Sequence, residues 1–264
     1  MLDLATLLPE VVAIAHAAGR RILEIYATDF TVTDKADASP LTAADMAAHH
    51  TIVDGLTRLT PNVPVLSEES ASIPYAERAR WQDYWLIDPL DGTREFIKRN
   101  GEFTVNIALI HEQAPVLGVV QVPVSGLCYF ARVGGGAFRQ MPDSPAEPIH
   151  VKRLGAGPVV VAGSRSHRGE SLDRFLERLG PHEIISMGSA LKSCLVAEGK
   201  ADIYPRLGPT SEWDTAAAHC VVVEAGGALT DTQLQPLRYN TKESLLNPHF
   251  LVFGDTGHDW AQYL

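Results

Sequence analysis

Apolar residues recur at Leu4, Leu8, Val11, Ala15, Ala18, Ile22 and Ile25, in alternating steps of four and three. That period draws one apolar stripe and predicts an amphipathic first helix. A polar connection follows through Asp34-Lys35-Ala36-Asp37. A second helix is predicted from Thr42 to about residue 59, ahead of Pro61, with Thr42 and Asp45 spaced as in a capping box. The pattern then changes to short apolar runs at 63–66, 84–87, 103–110, 116–122 and 127–133, parted by turn formers such as Pro115, Pro123, Ser125 and Gly126. Runs of that length and punctuation predict strands, and their short links predict an antiparallel meander.

Residues 141–158 are rich in proline and glycine and predict a domain boundary. Beyond them, strands at 159–162, 184–186 and 202–205 alternate with helices at 170–179, 189–198 and 211–225, the last two closed by Gly199 and Gly226. Alternation of this kind predicts a sheet layered with helices. The expected organisation is an α+β unit over 1–150 followed by an α/β unit over 151–264.

Composition narrows the function. A net charge of −10 over 264 residues opposes a nucleic-acid polymer as partner, since such binders carry a basic footprint. It does not exclude small anions, which a few cations or bound metal ions can hold. Three widely spaced cysteines, Cys128, Cys194 and Cys220, form no CxxC pair and predict small buried thiols rather than a disulfide framework or zinc site. The start of the chain carries Asp3, Pro9 and Glu10 within its first apolar stretch, unlike a signal peptide, and no stretch is long and apolar enough to span a bilayer. The expectation is a cytoplasmic, reduced protein. Peripheral attachment to the inner face of the membrane and the oligomeric state are left open.

The chemistry concentrates in Trp85-Leu-Ile-Asp88-Pro-Leu-Asp91-Gly-Thr93-Arg94. An apolar strand runs into two carboxylates three residues apart, with proline and glycine forcing a turn that aims both, and the Leu90 carbonyl between them, at one point. Hard cations such as Mg²⁺ take such oxygen ligands. Two carboxylates so close repel unless protonated or neutralised. An acidic β-turn explains the same residues equally well when they are taken alone. Phosphatases with an aspartyl nucleophile use Asp-x-Asp-Gly-Thr, and the three-residue spacing here places Leu90 where the partner acid belongs. Glu68, Asp214 and Asp45 are each also explained by an ordinary role: a solvated loop acid, an acid on a helix dipole and a capping acid.

Taken together, these segments resemble the inositol monophosphatase superfamily. The stretches Leu66-Ser-Glu-Glu-Ser70, Asp88 to Ile97, Arg99-Asn-Gly-Glu-Phe-Thr-Val-Asn-Ile107, Leu195-Val-Ala-Glu-Gly199 and Glu212-Trp-Asp-Thr-Ala-Ala217 are similar to its CysQ-type 3′(2′),5′-bisphosphate nucleotidases. The resemblance runs from the first helix to Asn247-Pro248. It implies a layered αβαβα sandwich of the sugar-phosphatase type, lithium sensitivity and two or three Mg²⁺ ions. Glu68, Asp88, Asp91, Asp214 and the carbonyl of Leu90 match its metal ligands, and Asp45 with Thr93 its water-activating pair. On the substrate side it implies Glu68, Asp91, Gly92, Thr93, Arg94, Ser166, His167, Ser189, Lys192, Arg206 and Asp214. Position 94 often carries lysine in these nucleotidases, and here it is arginine.

The activity so implied is hydrolysis of the 3′-phosphate of adenosine 3′,5′-bisphosphate to AMP and phosphate, with 3′-phosphoadenylyl sulfate as a second substrate, in the recycling that accompanies sulfate assimilation. Two alternatives stand beside it. One is the same chemistry on inositol monophosphate or another sugar phosphate; the other is a divalent-cation or nucleotide-binding protein without catalysis.

Overall fold

The computed structural model describes residues 2–28, 32–34, 40–163 and 170–264. Helix α1 (Leu4–Tyr26) starts where Asp3 accepts the Ala5 and Thr6 N–H groups, and it buries Val11, Ala15, Ala18 and Ile22 along the expected stripe. A short hairpin, β1 (Val32–Asp34) and β2 (Pro40–Thr42), leads into α2 (Ala43–Leu59). The side chain of Thr42, half of the expected capping box, lies outside the described residues. Asp45, in the first turn of α2, is 1% exposed.

The first sheet has seven strands in the order β3 (Val65–Ser67), β4 (Asp83–Asp91), β5 (Thr104–His111), β6 (Ala114–Gln121), β7 (Cys128–Arg132), β8 (Gly136–Gln140) and β9 (Glu147–Ile149). From β4 to β9 it is the expected antiparallel meander; β3 joins β4 in parallel. Helix α3 (Tyr75–Arg78) lies between β3 and β4, and α4 (Thr93–Ile97) between β4 and β5. The second sheet is ordered β11 (His182–Ser186), β10 (Val159–Gly163), β12 (Ile203–Arg206), β14 (Phe250–Phe253) and β13 (Ala228–Asp231). Helices α5 (Glu170–Leu179), α6 (Leu191–Ala197) and α7 (Ala216–Glu224) complete the described set.

The layering follows from strands buried on both faces, whose alternate residues enter different cores. On β4, Trp85 and Ile87 pack with α1 and α2, whereas Tyr84 and Leu86 pack with α6 and α7. On β14, Phe250 and Val252 face the same two helices, while Leu251 and Phe253 face α5 and Trp260. The order is therefore α1/α2, seven-stranded sheet, α6/α7, five-stranded sheet, α5: a mixed α/β sandwich of αβαβα layers.

Several elements differ from the sequence reading. Strand β9 lies inside the stretch read as a boundary, and the strand expected to end at Ile87 continues to Asp91. The helix expected over 189–198 starts only at Leu191, because Ser189 has φ +44°. The helix expected over 211–225 is a 3₁₀ turn (Glu212–Asp214) followed by α7. The three cysteines are free and buried, as expected. Among the described residues no helix is long and apolar enough to cross a membrane.

Candidate active site

Strands β3 and β4 run in parallel with Ser67 beside Ile87, so Glu68 and Asp88 leave the same edge of the sheet together. The Ser67 hydroxyl accepts the Glu69 N–H and meets His49 Nδ1 at 2.8 Å, which fixes the turn carrying Glu68. Between Asp88 and Asp91 the β4–β5 register breaks. Pro89, which has no N–H for the ladder, sits in that break. The Leu90 N–H turns back to Asp88 Oδ1 at 3.1 Å. Gly92 then takes φ +93°, a conformation that a residue with a Cβ adopts only under strain. Thr93 opens α4.

Asp214 arrives from the other half of the chain. It closes the 3₁₀ turn ahead of α7, where its Oδ2 accepts the Ser211 N–H at 2.8 Å in a capping box. Asp88, Asp91 and Asp214 each offer a carboxylate oxygen, all within 4.8 Å of one another. Burial and mutual repulsion disfavour their charged forms. Burial raises Asp88 well above the ordinary carboxylate range, and Glu68, Asp91, Asp214 and Asp45 add to the shift. Asp214 is raised by burial and then by Asp91, against the Ser211 N–H. Asp91 is raised by burial, opposed by Lys192 and the Ala190 N–H.

These residues line one cavity of about 290 Å³. Glu68, Asp88, Leu90, Asp91, Gly92, Thr93, Arg94 and Asp214 are on its lining, and so are Ser189, Lys192 and Arg206. Lys192 is buried and pushed down to about 8 by that burial, while Asp91 pulls the other way. Its ammonium donates to the Ser189 carbonyl at 2.6 Å and sits 5.3 Å over the Tyr204 ring. Arg206, at the end of β12, donates to the Pro209 carbonyl at 2.9 Å.

The structure thus brings together every expected residue except three. Asp45 does not line the cavity but is close enough to raise Asp88. Ser166 and His167 lie outside the described residues. The sequence reading missed Glu95, Tyr204, Thr210 and Phe250 on the cavity wall. Glu95 could have been found from its place in the first turn of the helix that follows the Asp88–Asp91 motif; the other three carry no local signal.

The donor set fits a hard divalent cation. Lys192 and Arg206 offset the buried carboxylates only in part, since Asp91 and Asp214 stay raised beside them, and all the donors are oxygens. Residues 3–255 match the model of the inositol monophosphatase family. The chain belongs to that family. It is 50% identical over 248 residues to the 3′(2′),5′-bisphosphate nucleotidase CysQ of Escherichia coli (strain K12), covering 93% of this chain and 99% of that protein. The CysQ nucleotidase of Haemophilus influenzae is 41% identical, covering 96% and 95%. Among solved structures, CysQ from Bacteroides thetaiotaomicron, described as a bacterial member of the inositol monophosphatase family, superposes with a TM-score of 0.82 at 42% identity, covering 94% of this chain and 97% of that one.

Proposed function

We propose that this chain is a Mg²⁺-dependent 3′(2′),5′-bisphosphate nucleotidase that converts adenosine 3′,5′-bisphosphate to AMP and phosphate. It takes 3′-phosphoadenylyl sulfate as a second substrate and serves sulfate assimilation. The observation that supports this reading is the make-up of one cavity: three carboxylates within 4.8 Å of one another, with Lys192 and Arg206 on the same lining. The carboxylates suit the cations that bind one phosphate, and Lys192 and Arg206 supply positive charge for a second, which a bisphosphate nucleotide has and a monophosphate lacks.

Glu68, Asp88, Asp91, Asp214 and the Leu90 carbonyl are the residues that would hold two or three Mg²⁺ ions. Bound there, Mg²⁺ supplies Lewis acidity, lowering the pKa of water and offsetting charge on the transferred phosphate. The chain's own groups do the rest. Thr93 lines the cavity beside Asp91, and its hydroxyl orients the attacking water. Asp45, buried at the start of α2, takes the proton passed through that hydroxyl. Gly92 lets the backbone approach the scissile phosphate, Arg94 adds a planar cationic fork, and Ser189, Lys192 and Arg206 hold the second phosphate. Ser166 and His167 are assigned to the nucleotide side on the resemblance alone.

The test is a phosphate-release assay on purified protein. Adenosine 3′,5′-bisphosphate with Mg²⁺ should yield AMP and phosphate, and a chelator should stop it. A clear kcat/KM preference for inositol monophosphate would overturn the substrate assignment. Binding of Mg²⁺ and nucleotide without phosphate release from any monoester would overturn the enzyme.

A further inference from the structure

The motif Arg99-Asn-Gly-Glu-Phe-Thr-Val-Asn-Ile107 contributes no side chain to the cavity wall, yet two of its residues meet the turn that faces Asp91. Two consecutive residues of the C-terminal half, Gly188 and Ser189, are each bonded to the N-terminal half. The Gly188 N–H donates to Glu102 Oε2 at 2.8 Å. The Ser189 hydroxyl meets Thr104 Oγ1 at 3.2 Å. Ala190, next in the chain, lines the cavity together with Asp91.

The seam is tight and directed. A Cβ at Gly188 would lie 2.7 Å from the Glu102 carbonyl oxygen, so the turn packs directly on that segment. Ser189 is held at φ +44°, a conformation side chains seldom adopt unless the surroundings impose it. Thr104 lies opposite Asp91 in the β4–β5 ladder and is fully buried. Its hydroxyl donates to Asn106 Oδ1 at 2.9 Å, so toward Ser189 it acts as acceptor. The Asn106 amide in turn donates to Asp91 Oδ2 at 3.5 Å. Asp91 is therefore held along the strand by Asn106, and Thr104 links that contact to Ser189 across the seam.

We propose that Glu102 and Thr104 are positioning residues that hold the 188–190 turn in register and thereby set the orientation in which Asp91 meets its cation. This rests on the reading of Asp91 as a metal ligand. Groups that orient a ligand from behind typically change metal affinity by about 10–100-fold when removed.

The test is calorimetric titration of chelator-treated protein with Mg²⁺ alone, alongside thermal melts and steady-state kinetics. Glu102→Ala and Thr104→Val should each weaken Mg²⁺ binding about tenfold or more. Glu102→Gln, whose amide oxygen still accepts the Gly188 N–H, and Thr104→Ser should restore wild-type affinity. A lowered melting temperature with Mg²⁺ affinity unchanged in Glu102→Ala and Thr104→Val would overturn the proposal, because that is what a purely structural contact gives. Should Thr104→Val not fold, Ser189→Ala breaks the same contact from the other side, and unchanged Mg²⁺ affinity there is equally contrary. The outcome is separable from the substrate assignment. Wild type that binds Mg²⁺ but leaves adenosine 3′,5′-bisphosphate intact defeats the nucleotidase reading. The seam stands or falls on the titrations alone.

Discussion

His219 offers a stability effect that can be worked through in advance. It sits in α7, 5% exposed, with Nδ1 sharing a hydrogen bond with the Tyr239 hydroxyl at 2.9 Å. That hydroxyl also reaches Thr215, the residue after Asp214, so the imidazole belongs to the support of the site. Burial, aided by Arg238, lowers its pKa from 6.5 to about 4. The folded value is depressed, so the unfolded chain binds the proton more tightly. Stability is then fully present above the unfolded value and is lost as pH falls toward the folded one. Between about pH 7.5 and about pH 5 the shift removes about 2 kcal/mol, or about 4–8 °C in melting temperature for a chain of this size. Below about pH 4 the loss levels off. The assay compares urea melts of wild type and His219→Gln across this range in chelator. The glutamine does not titrate, and all other groups are shared, so the difference between the two proteins isolates the histidine. The variant should be the less stable at neutral pH and should lose about 2 kcal/mol less on acidification. Parallel curves for the two proteins would refute the reasoning.

Further outcomes follow from the cavity. The raised carboxylates at Asp88, Asp91 and Asp214 keep protons that the unfolded chain releases near its ordinary values, so metal-free stability should fall as pH rises through the raised range. Saturating Mg²⁺ should abolish that slope, which urea midpoints at mildly acidic and mildly alkaline pH will read. Asp91→Asn should lower turnover by about 10³-fold or more while leaving the metal-free fold intact or firmer, since a crowded charge is gone; near-native turnover would remove Asp91 from the site. Arg206→Gln should raise KM for the bisphosphate by about tenfold and affect a 3′-monophosphate much less; equal effects on both would detach Arg206 from the second phosphate.

The elements legible in the sequence are those whose signal is local. The β4, β5 and β6 runs are nearly continuous in apolar residues because both sheet faces are covered, and α1 shows its stripe because only one face is. The Asp88-Pro-Leu-Asp91-Gly motif declares its turn through proline and glycine. By contrast, β8 and β9 are short and bury one residue each, so they lack a hydrophobic pattern. The break at Thr215 is hidden because Ser211 and Asp214 cap the start of the 3₁₀ turn by bonding to each other, a pattern that equally opens an α-helix. Ser189 reads as the first residue of a helix, whereas it takes φ +44° in a turn that Glu102 holds at Gly188 and Thr104 at Ser189. Those partners lie more than 80 residues away, and no window along the chain contains both sides of the seam.

Acids far apart in the chain share one divalent-ion site, and anomalous scattering from crystals soaked with Mn²⁺, a stand-in for Mg²⁺, reads that site out. Density bounded by Glu68, Asp88, Asp91 and Asp214 is expected, and its loss from Asp91→Asn crystals. A cavity without such density, in crystals of protein that releases phosphate from its substrate in Mn²⁺, would rule the shared site out.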